Sequence, residues 1–424
     1  MIKLIRIIRR TLSILLVIML SLLNFNLKLV KADTEGSYEI GNGDNIYQLE
    51  QLLGVYKTSS AEYQHNLLSY EISEYDSELA TENYFTINNQ YIQAVDKRAK
   101  LQATKELYEE YLATVDDPEV ITEINSQLEA INEQLEQYAS SIASLAASKA
   151  EAKLQQDVER FYKDNVSLFK KEAENKLTNQ FLKKLYSLML MKEQQDYYEA
   201  YQKYLDTQVT VQQIKYQRGL TGKTALDLAE ANLSKNSIDL EWNQDTFQST
   251  LGGIQNDTEM NASFKIILPI TVLDKEYDTE NLIEAFENSN TNLAQLLQLK
   301  KCYQDYQYAN GGSYTLYKQI GLKIQDYQLQ YDDLKSDIKS YVKDSVASYR
   351  RALQEYRLTI DELQLAENNY NIAVVKKEHR IATQLDLDKA EYEQKAAKVS
   401  YYQSIYNIII WQNILDNCIY GEAP

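Results

Sequence analysis

The side chains that could carry chemistry are 62 Asp and Glu, two His and two Cys in 424 residues. At that density acids on solvated helices fall into pairs by chance, so paired carboxylates do not identify an acid–base couple. No nucleophile stands at triad spacing from a base, and no Gly-rich loop is built to cradle phosphate. His65 and His379 are isolated, neither sharing a cluster of Cys, Asp or Glu at ligand spacing. The pattern assigns no catalytic, cofactor-binding or metal-binding residue and reads as a protein that is not an enzyme. Cys302 and Cys418 lie far apart in the chain. They are either a pair, as an exported protein allows, or two idle thiols.

With chemistry set aside, the elements carry the information. Only 12 Gly and 3 Pro punctuate the chain, and most stretches contain neither breaker, which predicts a few very long helices. The N-terminus stands apart. Lys3, Arg6, Arg9 and Arg10 precede the apolar run Thr11–Leu23, and Val30-Lys31-Ala32 offers a small-residue cleavage site before Asp33. That is the pattern of a secretory signal over residues 1–32. An uncleaved anchor is disfavoured because Arg9 and Arg10 interrupt the roughly 20 apolar residues that a span needs. Removing 1–32 takes away six basic and no acidic residues, moving the formal charge from −18 to −24. So acidic a chain repels nucleic acid, and no nucleic-acid partner is expected.

Residues 45–112 read as one helix, closed by the turn Asp116-Asp117-Pro118. Ile121, Ile124, Leu128, Ile131, Leu135, Tyr138, Ile142 and Leu145 then alternate spacings of three and four. Such a stripe seats one helix against an antiparallel neighbour as a coiled coil. The helix is expected to run on to about Arg218, where Gly219 and Gly222 break it, and to return over roughly Thr224 to Asn261. Ser263–Leu273 is the one extended stretch, with Pro269 arguing against an interior strand. A helix from Asp278 to Ala309, the turn Asn310–Ser313, a helix to Arg380 and a last helix over Gln384–Asp416 complete the chain. Tyr349, Ala352, Tyr356, Thr359, Leu363, Ala366, Tyr370 and Ala373 form one stripe, while Leu358, Leu365 and Ile372 form a second at seven-residue spacing. Tyr197, Tyr201, Tyr204 and Val211 show the same doubling against Leu188, Met191, Tyr198, Leu205 and Val209. Two stripes on one helix imply neighbours on both sides, as in a wall of helices or an ordinary bundle. The 35 Tyr supply apolar area with a wet end, which suits a thin wall.

One helical pattern occurs twice. YQRGLTGKTALDLAEANL at 216–233 and KEHRIATQLDLDKAEYEQ at 377–394 each join a long helix to its return helix. Leu226-Asp227-Leu228 and Ala231 match Leu385-Asp386-Leu387 and Ala390 at an offset of 159. The first copy carries an extra length of about five heptads on both arms of its first hairpin. The hairpin 45–112/119–155 is therefore expected to project beyond its counterpart, away from the turns.

These copies resemble the TolC outer-membrane efflux family, whose repeat is a pair of long antiparallel helices meeting at a tip. The family tip reads Tyr-x-x-Gly-Leu-x-Ser/Thr-x-x-Asp-Leu and then Ala. Tyr216, Gly219, Leu220, Asp227, Leu228 and Ala231 follow it in one copy, and Ile381, Thr383, Asp386, Leu387 and Ala390 in the other. Leu268-Pro269 through Asn288 resembles the family's entry into its second copy, and the resemblance spans about Ile46 to Leu415. It implies an all-α fold of very long antiparallel hairpins in two tandem repeats: repeat 1 over 33–262, a linker over 263–277 and repeat 2 over 278–424. It also implies a homotrimeric duct that docks a membrane-fusion-type adaptor and an inner-membrane transporter, ABC-type or similar. Tyr216, Gly219, Leu220, Asp227, Arg380, Thr383, Asp386 and Asp388 would then form the docking tips and gate, with Asp386 the candidate for an acidic ring. Those acids equally suit a helix N-terminus, where the dipole favours them. Arg380 stands where the family has Gly.

The chain departs from the family between its first and second helices. There the family places paired β-strands of about 9–11 residues that form a barrel, and here only Thr114–Pro118 and Asn310–Ser313 are available. The β-barrel is expected to be absent and direct outer-membrane insertion is disfavoured. This leaves an exported component of the cell envelope, in the wall zone or a periplasm. The leading expectation is a passive part of an efflux or export system. The alternative is a non-transporting coiled-coil spacer of the envelope.

Overall fold

The computed structural model describes residues 36–260, 264–309 and 314–424. The signal segment 1–32, its cleavage site and the turn Asn310–Ser313 lie outside the described residues. Two compact units are present, one around a small sheet and one holding the helices.

In the sheet unit, β1 (Ser37–Ile40) and β2 (Asn45–Gln48) flank β3 (Phe264–Pro269), in the order β1-β3-β2. β1 pairs antiparallel to β3 and β2 pairs parallel to it. Pro269 therefore ends a central strand, against the expectation drawn from its missing N–H. The reason is register. β2 reaches only to Gln48 opposite Ile267, so Pro269 lies beyond β2 and meets only Ser37 of β1. Ile266 and Leu268 are fully buried. Gly41 sits at φ 87°, and a Cβ there would fall 2.4 Å from the Phe264 carbonyl oxygen, so the turn after β1 admits only glycine.

The helical unit holds α1 (Leu49–Ser59), α2 (Ala61–Leu112), α3 (Pro118–Asp164), α4 (Val166–Gln217) and α5 (Lys223–Thr258) from the first repeat. The second supplies α6 (Thr279–Ser289), α7 (Thr291–Ala309), α8 (Tyr314–Glu378) and α9 (Gln384–Asp416). The all-helical architecture of long hairpins is as expected. Three breaks divide stretches expected to be continuous helix, each at a single capping residue. Residues 45–112 are not one helix: a strand precedes α1, and Ser60 (ψ 121°) breaks the rest by accepting from the Tyr63 amide. Asn165 divides α3 from α4, where one helix of about 100 residues is predicted; its side chain donates to the Phe161 carbonyl. Asn290 (ψ 111°) divides α6 from α7 and caps the Leu293 amide at 2.9 Å. Cys418 lies just past α9 at φ 51°, not within a helix. Both cysteines are free thiols, held above the ordinary thiol range by burial.

α2 and α3 pack as the expected antiparallel pair. Ile124 and Ile131 are buried, and every other member of the predicted α3 stripe is at least half-covered. Asp117 caps the Glu119 amide, with Pro118 in the first turn. α3 is flanked by α7, and α7 by α8, so this half of the wall runs α2-α3-α7-α8. In the other half α4 touches α5 on one side and α9 on the other, and α9 touches α8, giving α5-α4-α9-α8. The doubled stripes of α4 are thus explained by two neighbours. The α8 stripe Tyr349–Ala373 is covered, and Tyr356 stacks on Tyr401 at 5.8 Å. Where the halves meet, Ile283, Phe286, Ile338, Val342, Val346, Ile408 and Leu415 form the core. No described helix is long and apolar enough to cross a membrane.

Candidate functional site

The two helix-to-helix turns are built by the same hydrogen bonds. The Gly219 amide donates to Tyr216 O and the Arg380 amide to Lys377 O, both at 2.9 Å. The Leu220 amide donates to Lys215 O and the Ile381 amide to Lys376 O, both at 2.8 Å. Gly219 at φ 68° and Arg380 at φ 60° are the left-handed residues that end each helix, so each turn closes by a six-to-one bond. Arginine pays backbone strain there that glycine avoids.

These pairs fix the offset between copies at 161 residues, not 159. The helix starts obey it too: Gly222 and Thr383 are the N-cap positions of α5 and α9. The equivalent of Asp388 is therefore Asp227, and Leu226, Ala229 and Glu230 correspond to Leu387, Ala390 and Glu391. The register of 159 aligned two Leu-Asp-Leu runs that stand two residues apart along their helices. The signal for the true register was present, in the distance from the turn rather than in the longest identity.

That shift separates the three acids. Asp386 occupies the third position of α9 and forms a capping box with Thr383: the Thr383 hydroxyl accepts from the Asp386 amide, and the carboxylate accepts from the Thr383 amide at 2.9 Å. The Thr383 hydroxyl and amide, with lesser help from Lys389 and Lys376, hold its carboxyl below the usual range. Asp227 is exposed on α5. Asp388 is fully buried and bridges the repeats. It accepts from Thr207 Oγ1 at 2.7 Å and Gln384 Nε2 at 2.8 Å, with Lys203 Nζ at 3.5 Å. Neither Lys203 nor Thr207 was identifiable from sequence, since each lies more than 180 residues from Asp388 on a helix of the other copy.

The Asp388 contact ends a polar ladder between α4 and α9. Lys203 pairs with Glu391 at 2.6 Å, Lys395 with Asp196 at 3.3 Å and Lys398 with Glu193 at 3.1 Å, and Asn413 donates to Asn179 at 2.8 Å. Tyr392 fills the space between, with its ring 5.0 Å from Tyr201 and 4.9 Å from Tyr204. The apex of each turn carries one apolar side chain: Leu220 is 73% exposed and Ile381 75%, at equivalent positions. Tyr216 is also exposed. Among the described residues no group of three or more His, Cys, Asp and Glu could hold a metal ion.

No protein-family model matches the sequence, and no curated protein matches it. Solved structures do. The chain is similar to the CmeC outer membrane channel of Campylobacter jejuni, at 13% identity over 63% of this chain and 68% of that one, with a TM-score of 0.43. It is similar to the outer membrane protein VceC of Vibrio cholerae, at 14% identity over 65% and 75% of the two chains, with a TM-score of 0.40. The open MtrE outer membrane channel of Neisseria gonorrhoeae is similar at 9% identity over 66% and 72%, with a TM-score of 0.43. These likenesses are partial, and the functional reading rests on the repeat, the tips and the free helix faces.

Proposed function

We propose that the mature chain is a passive duct component of an envelope efflux or export system. Copies of the chain, three by the family resemblance, close the wall into a tube, and its tips dock a membrane-fusion-type adaptor joined to an inner-membrane transporter. The observation that carries this reading is the match between the flanks of the tip half. α8 exposes Leu358, Leu365 and Ile372, and α5 exposes Leu228, Ile238 and Trp242, all 50–69% accessible. Counted from the turn, these lie 20, 13 and 6 residues before the end of α8 and 5, 15 and 19 residues after the start of α5. At about 1.5 Å per residue the two sets stand within about 3 Å of each other at three heights. The flank of one copy therefore fits the opposite flank of the next, a heterologous contact of the kind that closes rings.

The tip assignment includes Tyr216, Gly219, Leu220 and Asp227 on one turn and Arg380, Ile381, Thr383 and Asp386 on the other. Leu220 and Ile381 supply the apolar contacts to an adaptor. Asp388 serves a different purpose from an acidic lumen ring: its carboxylate is committed to Thr207 and ties the tips together. An exported position in the wall zone or periplasm follows from the predicted signal. The tight turn Thr114–Asp117, standing where the family has strands, favours a duct without direct outer-membrane insertion.

The test is to purify residues 33–424 without detergent and measure mass by light scattering alongside particle images. A hollow trimeric tube is the expected result. A monomeric rod at high concentration would refute self-closure and favour the spacer. Capture by a membrane-fusion-type adaptor should be lost on Leu220→Asp with Ile381→Asp; undiminished capture would remove the tips from the docking role.

A further inference from the structure

The hairpin of α2 and α3 outruns its neighbours. Cys302 of α7 lies in the field of Asp157 of α3, and α7 ends seven residues later, at Ala309. On α3 the level of that end falls near Ala150, while Lys149 sits over the Tyr91 ring and Lys153 over the Tyr84 ring of α2. About 28 residues of α2 and 31 of α3 thus extend past the end of α7, roughly 40–45 Å. Along this extension, among the described residues, each helix packs only against the other.

The outer face of α3 nevertheless continues a pattern that has a neighbour lower down, while the flank of α2 is exposed along its whole length. On α3 the column at seven-residue spacing that meets α7 through Asp157 and buried Ala150 runs on as Ala143, Glu136 and Glu129. On α2 the flank carrying Ile72 and Leu79 runs on as Lys100 and Leu107, with Phe85 and Ile92 in the adjacent column, and these apolar members are 46–66% exposed. The charges on the two faces are opposite. From Pro118 to Ser148, α3 carries five Glu and no Lys or Arg. α2 gathers Lys97, Arg98 and Lys100, with Asp96 the only acid between Thr86 and Lys105. All three cations and Glu129, Glu133 and Glu136 are exposed, and none of the six forms an ion pair among the described residues. Counted from the turn at 113–117, both sets stand about 16–27 Å down the hairpin. Lys97 and Lys100 share that height with the three Glu but lie on the other side of the hairpin, whereas Arg98 continues the Tyr84–Tyr91 column that faces α3.

We infer that the α2 outer face of one copy docks against the α3 outer face of the next, so that the extensions close into a helical collar continuing the duct. The occupant of each face is a second copy of this chain. Lys97 and Lys100 meet Glu129, Glu133 and Glu136. The wall narrows from four helices per copy to two where α7 and α8 end. This inference rests on the ring of copies proposed above.

Inter-copy cross-linking separates the two. Two differently tagged chains, both Cys418→Ser, are co-produced, one with Lys100→Cys and the other with Glu133→Cys, and treated with a short bismaleimide. A second pair, Trp242→Cys with Leu358→Cys, reports the ring alone. The expected result is a mixed-tag dimer from both pairs. A product from the ring pair without one from the hairpin pair overturns the collar and leaves the ring standing. No product from either pair overturns both. Replacing Lys97 by Glu should lower the hairpin product at least threefold, and Glu129→Lys with Glu136→Lys on the other chain should restore it. A yield indifferent to both changes overturns the charge pairing.

Discussion

Removing the Asp388 carboxylate should loosen the junction between the two repeats more than any other single change near the tips. The side chain is fully buried, with Thr207 Oγ1 at 2.7 Å and Gln384 Nε2 at 2.8 Å. A hydrogen bond to a charged acceptor contributes about 1.5–3 kcal/mol. The Gln384 contact, one turn away on the same helix, adds about 0.3–0.5 kcal/mol. Lys203 lies at 3.5 Å but is 52% exposed, so water screens it to about 0–1 kcal/mol. Asp388→Ala should therefore cost about 3 kcal/mol. Hydrogen exchange of the α4 and α9 amides around Thr207 and Asp388 reads this directly, since 1.4 kcal/mol is about tenfold in an opening equilibrium. Protection there should fall about 100-fold, and amides of the α2/α3 hairpin should not change. A cycle with Thr207→Val should return a coupling of about 1.5 kcal/mol or more. A loss under threefold, or a coupling under about 0.5 kcal/mol, would refute the view that this carboxylate ties the copies together.

Opposite signs are expected for the left-handed turn residues: Gly219→Ala should speed local exchange at its turn and Arg380→Gly should slow it, each by about 1 kcal/mol, and equal signs would contradict the matched geometry. Alkaline unfolding should begin early for a helical protein. Burial raises the phenols of Tyr56, Tyr341, Tyr392 and Tyr402 to about 12, so the stability they contribute is complete below the unfolded value near 10 and lost as pH rises through 12; Tyr402→Phe should extend the helical signal to higher pH in a circular-dichroism titration. For Glu172, burial opposes ionisation, but Lys176 and the Thr291 hydroxyl and amide outweigh it and hold the carboxyl below its usual value. Its contribution is present above the unfolded value near 4.3 and lost as pH falls through the lower folded value, so Glu172→Gln should flatten the acid limb of a stability-against-pH curve.

The sequence determined what repeats locally. The stripe from Ile121 to Leu145 fixes its own helix, its buried face and an antiparallel partner, because a 3.5-residue period needs no distant information. Gly219, Gly222 and Asp117-Pro118 likewise stop helices by their own backbone chemistry. The doubled stripes on α4 and α8 pointed to a wall or an ordinary bundle, and only the tertiary structure shows that the second α8 stripe is a free flank. Ser60, Asn165 and Asn290 were not legible as breaks, since one capping side chain in a long helical pattern is a weak signal until packing selects it. β1 and β2 were missed because strands of four residues gain their stability from β3, more than 200 residues away. The register between the copies was settled by turn hydrogen bonds, which identity matching does not see. Asp388 illustrates the division. Its residue type and its place near a helix start are local facts, but its burial depends on Thr207 and Lys203, which only the side-by-side packing of α4 and α9 brings within reach.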